Sequence, residues 1–217
     1  MSCDQHNVFV KDEFARLMQN NLSIVFELGA RDGLYTREIN QKYNPDKIYS
    51  FECNPNSISK CESNISDVDT ASFHPVAIAD YTGSIDFFQA DGCHGADDGS
   101  SSIFNLAKIN NMKKITVDCT TLDDFCKTEN IEQIDLICAD IEGAEVKAFT
   151  DQQILYNTRY IITEVQIDKG WKPECPTILD LENTICKYGF ERATYIGGAG
   201  GGKLAGDALY INRKLES

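Results

Sequence analysis

Residues 25–33 read Val25-Phe26-Glu27-Leu28-Gly29-Ala30-Arg31-Asp32-Gly33 and set the architecture of this chain. Apolar, strand-forming residues lead into an acid, two glycines follow with the spacing G-x-x-x-G, and an amphipathic helical pattern begins at Leu34. This order predicts a buried strand, a tight turn and a helix N-terminus, where glycine and free N–H groups let a ligand approach the backbone closely. Glu27 would be costly in an apolar core without a partner, and a cofactor carrying an amine or hydroxyls would supply one. The glycine spacing differs from the dinucleotide-binding pattern G-x-G-x-x-G.

Strand-like and helical segments alternate along the rest of the sequence. The alternation predicts an α/β fold with a doubly wound, mostly parallel sheet and an antiparallel C-terminal edge strand. The predicted strands cover residues 23–28, 47–52, 72–79, 84–89, 114–119, 134–139, 160–165, 190–196 and 208–212. The predicted helices cover residues 11–19, 34–42, a segment opened by Asn54-Pro55-Asn56, 121–127 and 177–188. Because no linker or internal repeat divides the chain, residues 1–217 are predicted to form a single domain.

The composition argues against several classes of protein. Acidic residues outnumber basic ones by 34 to 20, which gives a net charge of −14. Such a surface repels phosphates and anionic lipids, so we expect neither nucleic-acid nor membrane partners. The sequence has no bilayer-length apolar run, and its first residues lack the pattern of a signal peptide, so we expect a cytoplasmic protein. The nine cysteines include no C-x-x-C pair, and an odd count fits a reduced compartment better than disulfides or a zinc site.

An acid stands at the carboxyl end of each of five predicted strands. In chain order these acids are Glu27, Glu52, Asp80, Asp140 and Glu164. Ligands of open α/β sheets bind outside the carboxyl ends of the strands, so we expect these side chains to surround one site. An acid at the position of Glu52 suits a bidentate hydrogen bond to ribose hydroxyls, an arrangement that NAD-binding and methyltransferase folds share.

A later segment separates these two classes. Residues 134–145 read Ile134-Asp135-Leu136-Ile137-Cys138-Ala139-Asp140-Ile141-Glu142-Gly143-Ala144-Glu145, which resembles the D-x-x-K-x-D-x-E-G-x-E motif of the FkbM family of S-adenosylmethionine-dependent methyltransferases. The first motif also resembles the E/D-x-G-x-x-x-G of such enzymes. The remaining family landmarks are Phe51-Glu52-Cys53-Asn54-Pro55, Val76-Ala77-Ile78-Ala79-Asp80 with Gly83, Ser100-Ser101-Ser102, Thr121-Leu122-Asp123-Asp124-Phe125 and Ile162-Thr163-Glu164-Val165.

Two positions depart from the family pattern. Cys138 stands where the strand motif usually has lysine, so any role of that lysine is absent or supplied elsewhere. The first motif begins with Glu27 and contains Arg31-Asp32, where the family more often has an aspartate and an Asn-Ile-like pair.

The resemblance implies a Rossmann-like class I methyltransferase fold, S-adenosylmethionine as the cofactor, and O-methylation of a small-molecule or glycan acceptor. On this basis Gly29 to Gly33 would hold the methionyl end, Glu52 the ribose, and Ala77 to Asp80 the adenine. The cofactor-binding candidates are Glu27, Gly29, Ala30, Arg31, Asp32, Gly33, Glu52, Cys53, Asn54, Ala77, Ile78, Ala79, Asp80, Ser101 and Asp140.

Three acids are the catalytic candidates. Asp140 would face the cofactor amine or the acceptor hydroxyl, and Glu142 and Glu164 are candidate general bases, because a hydroxyl is a poor acid and its proton must be removed. A divalent cation, Mg²⁺ or Mn²⁺, on Asp140 and Glu164, with Asp168, is an alternative way to activate the hydroxyl. The opposing structural interpretation is that Glu142 and Glu145 cap a helix that starts near Gly143.

Several weaker features leave alternatives open. His94, in a Gly-, Asp- and Ser-rich loop at 90–102, is a minor candidate for the base, and Trp171 with Pro173 would line a sugar pocket or pack in the core. The glycine run at 197–202 lacks a phosphate-loop motif and is interpreted as a flexible connection. The rival functions are an NAD-dependent oxidoreductase or epimerase, a cofactor-binding module without turnover, and nucleic-acid methylation, which the net charge disfavours.

Overall fold

The apolar run of the quoted segment forms a strand near the centre of the main sheet. In this computed structural model the described residues are 7–19, 21–90, 98–106, 112–169, 172–198 and 204–216. Their strands are β1 (Ile24–Leu28), β2 (Lys47–Phe51), β3 (Ala71–His74), β4 (Ala77–Ile78), β5 (Gly83–Gln89), β6 (Lys113–Thr120), β7 (Ile134–Ala139), β8 (Thr158–Gln166), β9 (Phe190–Gly197) and β10 (Ala205–Asn212). Their α-helices are α1 (Asp12–Ala15), α2 (Leu34–Tyr43), α3 (Pro55–Ile65), α4 (Leu122–Glu129), α5 (Glu145–Phe149) and α6 (Ile178–Ile185).

The main sheet has the predicted doubly wound topology. Within the described residues its strand order is β3-β2-β1-β7-β8-β10-β9. β1 pairs in parallel with β2 and β7, and β7 pairs in parallel with β8, whereas β10 is antiparallel to both of its neighbours. The C-terminal antiparallel pair therefore lies at the edge of the sheet, as predicted. Because the chain order reverses between β1 and β7, a crevice opens at the carboxyl ends of these two strands.

Helices cover both faces of the sheet and bury alternate residues of its strands. Val25 of β1 packs with Ile39 of α2 on one face. Phe26 points to the other face, where it packs against Phe51 and Phe125, with ring centroids 5.4 and 5.6 Å away. All six residues of β7 are buried, as expected for a central parallel strand that is covered on both sides. The central strands are thus held firmly from both faces, which fixes the positions of their carboxyl ends.

One predicted strand, at residues 72–79, is wrong as a single element. Its first half is β3 in the main sheet, and its second half is β4 in a separate sheet of order β4-β6-β5. Pro75 lies between the halves, and proline has no N–H with which to continue a ladder. The backbone turns there, with the N–H of Val76 donating to the carbonyl of His74 (2.9 Å). The separation carries Ala79 and Asp80 away from the main sheet.

The predicted N-terminal helix, residues 11–19, is also wrong in extent. A 3-10 turn covers Val8–Val10, Lys11 is extended (φ −62°, ψ 138°), and α1 covers only Asp12–Ala15. The predicted C-terminal helix, residues 177–188, is present as α6 followed by a 3-10 turn at Cys186–Tyr188. β7 has the predicted bounds, and the predicted strand at 208–212 begins earlier, at Ala205. Among the described residues no helix has the length and apolar character needed to cross a bilayer.

Candidate active site

A cavity of about 450 Å³ opens at the crevice between β1 and β7. Its walls come from the turn after β1, the residues after β2 and β7, the start of α2, the strand β4 and the segment 99–103. This volume lies in the range of about 300–1,000 Å³ that is typical of small-molecule sites. The cavity therefore stands where the topology predicts a ligand.

The glycine turn brings three strands together at the floor of this cavity. The N–H groups of Gly29 and Ala30 both donate to the carbonyl of Phe51 at 2.9 Å, and the N–H of Asp140 donates to the carbonyl of Leu28 at 3.0 Å. Gly29 has φ +85°, and a Cβ added there would lie 2.1 Å from the carbonyl oxygen of Asp140. Only glycine fits this close approach, so the turn is held against both β2 and β7.

Glu52 presents a carboxylate that the backbone orients. One of its oxygens accepts from the N–H of Arg31 at 2.8 Å and the other accepts from the N–H of Asn54 at 2.6 Å. The residue is only 8% exposed, yet it lines the cavity. Each carboxylate oxygen can accept more than one hydrogen bond, so this group can receive a pair of hydroxyl donors in a fixed geometry.

Glu27 lies below the cavity rather than in its wall. It is fully buried and accepts hydrogen bonds from the hydroxyls of Thr36 and Ser50, the latter at 3.1 Å. Its other oxygen, Oε1, has no hydrogen-bond partner among the described residues. Burial raises its pKa to about 7, against the lowering effect of the two hydroxyls. The partners that we expected from a cofactor are thus supplied from α2 and β2, and Cys138 stands beside Glu27 in the register of β1 and β7.

Three carboxylates meet beside the glycine turn. Asp140, Glu142 and Glu164 each offer an oxygen, and among the described residues these oxygens all lie within 4.8 Å of one another. Asp140 and Glu142 line the cavity, and the side chain of Asp140 is exposed to it. Burial by the surrounding walls, then Glu164 and Glu142, raise the pKa of Asp140 well above its usual range. The three predicted catalytic residues are therefore adjacent to one another.

A lysine that the sequence analysis did not single out pairs with two of these acids. Lys172 Nζ forms an ion pair with Glu142 and another with Glu164, the latter at 3.1 Å. Its side chain is 11% exposed. Burial alone would lower its pKa, but Glu142 and Glu164 outweigh burial and hold the pKa above the usual value. Lys172 therefore remains an ammonium group, and it lies outside the lining of the large cavity.

The backbone at Glu142 is strained and firmly held. Glu142 has φ 56°, a conformation that L side chains rarely adopt. Its carbonyl accepts from the hydroxyl of Ser102 at 2.8 Å and from the thiol of Cys175 at 3.7 Å. The next residue, Gly143, has φ +96°, and a Cβ there would lie 2.4 Å from the sulfur of Cys175. The surroundings thus fix the direction of the Glu142 side chain.

Most of the predicted cofactor residues share the wall of this cavity. Those that line it are Gly29, Ala30, Arg31, Asp32, Glu52, Cys53, Asn54, Ala77, Ile78, Ser101 and Asp140. Those that do not are Glu27, Gly33, Ala79 and Asp80. Asp80 instead forms an ion pair with Lys147 at 3.4 Å, on the far side of the break at Pro75.

Other predicted positions lie apart from the cavity or outside the described residues. Asp168 is exposed and is not a member of the three-carboxylate cluster. Glu145 is the first residue of α5 and accepts from the N–H of Ile141 at 3.1 Å, but α5 has no side-chain capping hydrogen bond, so the capping interpretation is not confirmed. Pro173 is exposed. His94, Trp171 and the part of the glycine run at 199–202 are outside the described residues. The cavity is also lined by Leu34, Tyr35 and Glu38 from the first turns of α2, and these three are not among the predicted site residues. Their helical spacing directly after the glycine turn is the signal that would have found them.

Comparisons with known proteins agree with this arrangement. Residues 27–192 match the methyltransferase FkbM domain. The 2-O-methyltransferase NoeI of Sinorhizobium fredii (strain NBRC 101917 / NGR234) is 28% identical over 184 residues, covering 79% of this chain and 76% of NoeI. The N-methyltransferase NodS from Bradyrhizobium japonicum WM9, solved with S-adenosyl-L-homocysteine, has a TM-score of 0.52 at 10% identity, covering 93% of this chain and 84% of NodS.

A second solved structure has the same fold, with a similar TM-score and sequence identity. The magnesium protoporphyrin IX methyltransferase ChlM from Synechocystis PCC 6803, solved with bound S-adenosylmethionine, has a TM-score of 0.51 at 10% identity, covering 95% of this chain and 79% of ChlM. At 10% identity the two solved structures show only that the fold is shared. The family is shown by the domain match, which covers most of the chain. The methyltransferase interpretation is confirmed over the NAD-dependent one, and the chain belongs to the FkbM family of S-adenosylmethionine-dependent methyltransferases.

Proposed function

We propose that this enzyme transfers a methyl group to a hydroxyl oxygen of a sugar, in a glycan or a glycosylated small molecule. The observation that carries the proposal is the cluster of Asp140, Glu142 and Glu164 beside the glycine turn. A sugar hydroxyl is a weak acid, so methyl transfer to its oxygen needs a base that removes the proton, and the clustered carboxylates can supply one. The similarity to NoeI, which is a 2-O-methyltransferase, supports oxygen as the atom that accepts the methyl group.

The lining of the cavity fits S-adenosylmethionine. Glu52, oriented by two backbone N–H groups, would accept the ribose hydroxyls. Ala77 and Ile78 would form an apolar wall for the adenine. Arg31 is the cationic residue of the described cavity lining, and its guanidinium would pair with the methionyl carboxylate. When bound, the cofactor supplies a methyl group that is already activated as a sulfonium, so the chain must mainly align the acceptor and take its proton.

Within the acid cluster we assign the role of general base, which accepts the proton of the acceptor hydroxyl, to Asp140. Glu142 and Glu164 are both paired with Lys172, whereas the Asp140 side chain is open to the cavity. A raised pKa makes Asp140 a stronger base than an ordinary aspartate. Exchanging it for asparagine keeps the shape and removes the base.

The test of the acceptor class uses methyl-labelled S-adenosylmethionine and a panel of oligosaccharides that carry hydroxyls alone or hydroxyls with a free amine. We expect labelled methyl ethers on both sets, identified by mass spectrometry and NMR. Label on nitrogen alone would contradict the proposal. Cofactor binding without transfer to any acceptor of the panel would favour the module without turnover.

The test of the base compares Asp140→Asn with Asp80→Asn, a matched change outside the cavity. Asp140→Asn is expected to lower the turnover number by about 10²–10⁴-fold with little change in the affinity for S-adenosylhomocysteine. Asp80→Asn is expected to keep normal turnover. Loss of cofactor affinity in Asp140→Asn, with turnover otherwise intact at saturation, would instead assign Asp140 to the cofactor amine.

A further inference from the structure

The cluster of carboxylates already contains a positive charge from the chain itself. The ammonium of Lys172 contacts Glu142 and lies 3.1 Å from a carboxylate oxygen of Glu164. These are two of the three acids whose oxygens lie within 4.8 Å of one another. A divalent cation that used this set of oxygens would therefore have to displace or repel the lysine, because like charges at ion-pair distance repel strongly at low dielectric constant.

The position of Lys172 is fixed by its backbone. The side-chain amide of Gln166, at the end of β8, donates to the carbonyl of Lys172 at 3.0 Å and to the carbonyl of Cys175 at 2.7 Å, and it accepts from the N–H of Lys172 at 3.2 Å. Gln166 itself is 6% exposed. Cys175 also contacts the Glu142 carbonyl through its thiol. The buried Gln166 side chain thus holds the backbone of Lys172 and Cys175 against β8, the strand that contains Glu164.

A fourth acid increases the need for a cation at this place. Asp207 of β10 stands opposite Glu164 of β8 in the antiparallel register. Like charges on directly opposed residues of a strand pair destabilise each other, and a positive charge beside them offsets this repulsion.

We propose that Lys172 is a positioning residue that serves as the built-in cation of the acid cluster, in the place where a divalent metal ion would otherwise bind. It holds Glu142 and Glu164 in fixed orientations and leaves Asp140 to the acceptor, so methyl transfer proceeds without Mg²⁺ or Mn²⁺. Removal of the lysine leaves three oxygens of hard-ligand character within reach of one ion and creates a metal site. The assignment rests on the proposed function for its catalytic meaning, whereas its test measures cation binding alone.

The experiment is a titration of the purified, chelator-treated protein with Mn²⁺, in which electron paramagnetic resonance measures the free ion. The wild-type protein is expected to show no Mn²⁺ binding that depends on Glu142 or Glu164. Lys172→Ala is expected to bind one Mn²⁺ with a Kd at least about tenfold below that of the weak, Glu142-independent binding of the wild type, since removal of one positive charge at ion-pair distance removes its repulsion. The double variant Lys172→Ala/Glu142→Gln is expected to lose that gain.

Three further variants control the result. Lys172→Arg keeps the positive charge and is expected to bind Mn²⁺ as weakly as the wild type, while Lys172→Gln keeps much of the side-chain length and is expected to behave as Lys172→Ala. Lys147→Ala removes a lysine that is paired with Asp80 elsewhere, and it should change nothing. Wild-type binding that Glu142→Gln abolishes would overturn the proposal, and so would a folded Lys172→Ala protein with no gain. Activity that is lost on chelation and restored by Mn²⁺ would overturn the metal-independent role separately.

Discussion

At the scale of single residues, Gly29 is the most constrained position of the site. Its positive φ and the 2.1 Å gap to the Asp140 carbonyl leave no room for a Cβ. Gly29→Ala is expected to lower the free energy of unfolding by about 2 kcal/mol or more and to weaken S-adenosylhomocysteine binding, because the turn must move off β7. Urea unfolding and calorimetry check both effects. Gly198→Ala, where an added Cβ meets its nearest atoms at 3.4 Å, is the control; equal losses in both variants would contradict this account.

Glu27 predicts how stability depends on pH. Its pKa rises from 4.5 to about 7 on burial, so folding favours the protonated form. Its contribution is therefore complete below about pH 4.5 and is lost as the pH rises through about 7, a change of about 3 kcal/mol. Glu27→Gln keeps the shape without the charge. It is expected to be more stable than the wild type at about pH 8 and to show a smaller loss of stability between about pH 5 and pH 8.

Chemical denaturation at a series of pH values measures this difference. Glu62→Gln is the control, because Glu62 is exposed and its substitution should leave the pH profile unchanged. Burial also raises the pKa values of Glu145 and Asp207 to about 7, so a residual slope is expected in Glu27→Gln. A profile identical to that of the wild type would show that Glu27 is ionised in the folded protein.

At the scale of elements, Asn54 joins α3 to the small sheet. Its side chain accepts from the N–H of Asn56 at the start of α3 (3.1 Å) and from the amide of Gln89 on β5 (2.7 Å), and it donates to Ser101 (3.2 Å). Asn54→Ala is expected to cost about 1–3 kcal/mol of unfolding free energy, because it removes a helix cap and leaves the buried amide of Gln89 without this partner. Urea unfolding measures the cost, and Asn56→Ala, an exposed neighbour on α3, is the control.

The elements that the sequence predicts well are those whose signal is local. β7 is a continuous apolar run and has the predicted bounds, since burial on both faces demands such a run. The segment 72–79 is apolar in the same way, yet Pro75 divides it between two sheets. A proline in the interior of a predicted strand is itself a signal that the strand is interrupted.

The site residues likewise divide into those whose positions the sequence predicts and those whose positions depend on contacts that it does not indicate. Asp140 and Glu164 were predictable as neighbours, because they lie at or near the carboxyl ends of the adjacent parallel strands β7 and β8. Lys172 was not predictable, because its position depends on the hydrogen bonds that the Gln166 side chain makes to the backbone of Lys172 and Cys175. Neither composition nor periodicity of the sequence indicates such hydrogen bonds. Glu27 was misplaced because an acid inside a strand can find its partners within the core, here Thr36 and Ser50.

At the scale of the whole molecule, the prediction of a single domain has a thermodynamic consequence. The cavity is built from both halves of the main sheet, so a ligand that fills it should stabilise the chain as one unit. S-adenosylhomocysteine at about 100 times its Kd is expected to add about 2.7 kcal/mol and to raise the Tm by about 5–10 °C. Thermal unfolding followed by circular dichroism and by tyrosine fluorescence should give one coincident transition. Two transitions, of which the ligand shifts only one, would contradict the single domain.

The cavity between β1 and β7 is expected to bind the methyl donor through Glu52, and calorimetric titration with S-adenosylhomocysteine measures this binding. We expect a micromolar Kd, or about −8 kcal/mol, for the wild type. We expect no binding of NAD⁺, and affinity weaker by about tenfold or more in Glu52→Gln, since hydrogen bonds to a charged group are lost. The control Glu62→Gln should bind as the wild type does. A folded wild-type protein that does not bind S-adenosylhomocysteine, or a Glu52→Gln variant that binds it with unchanged affinity, would contradict the account.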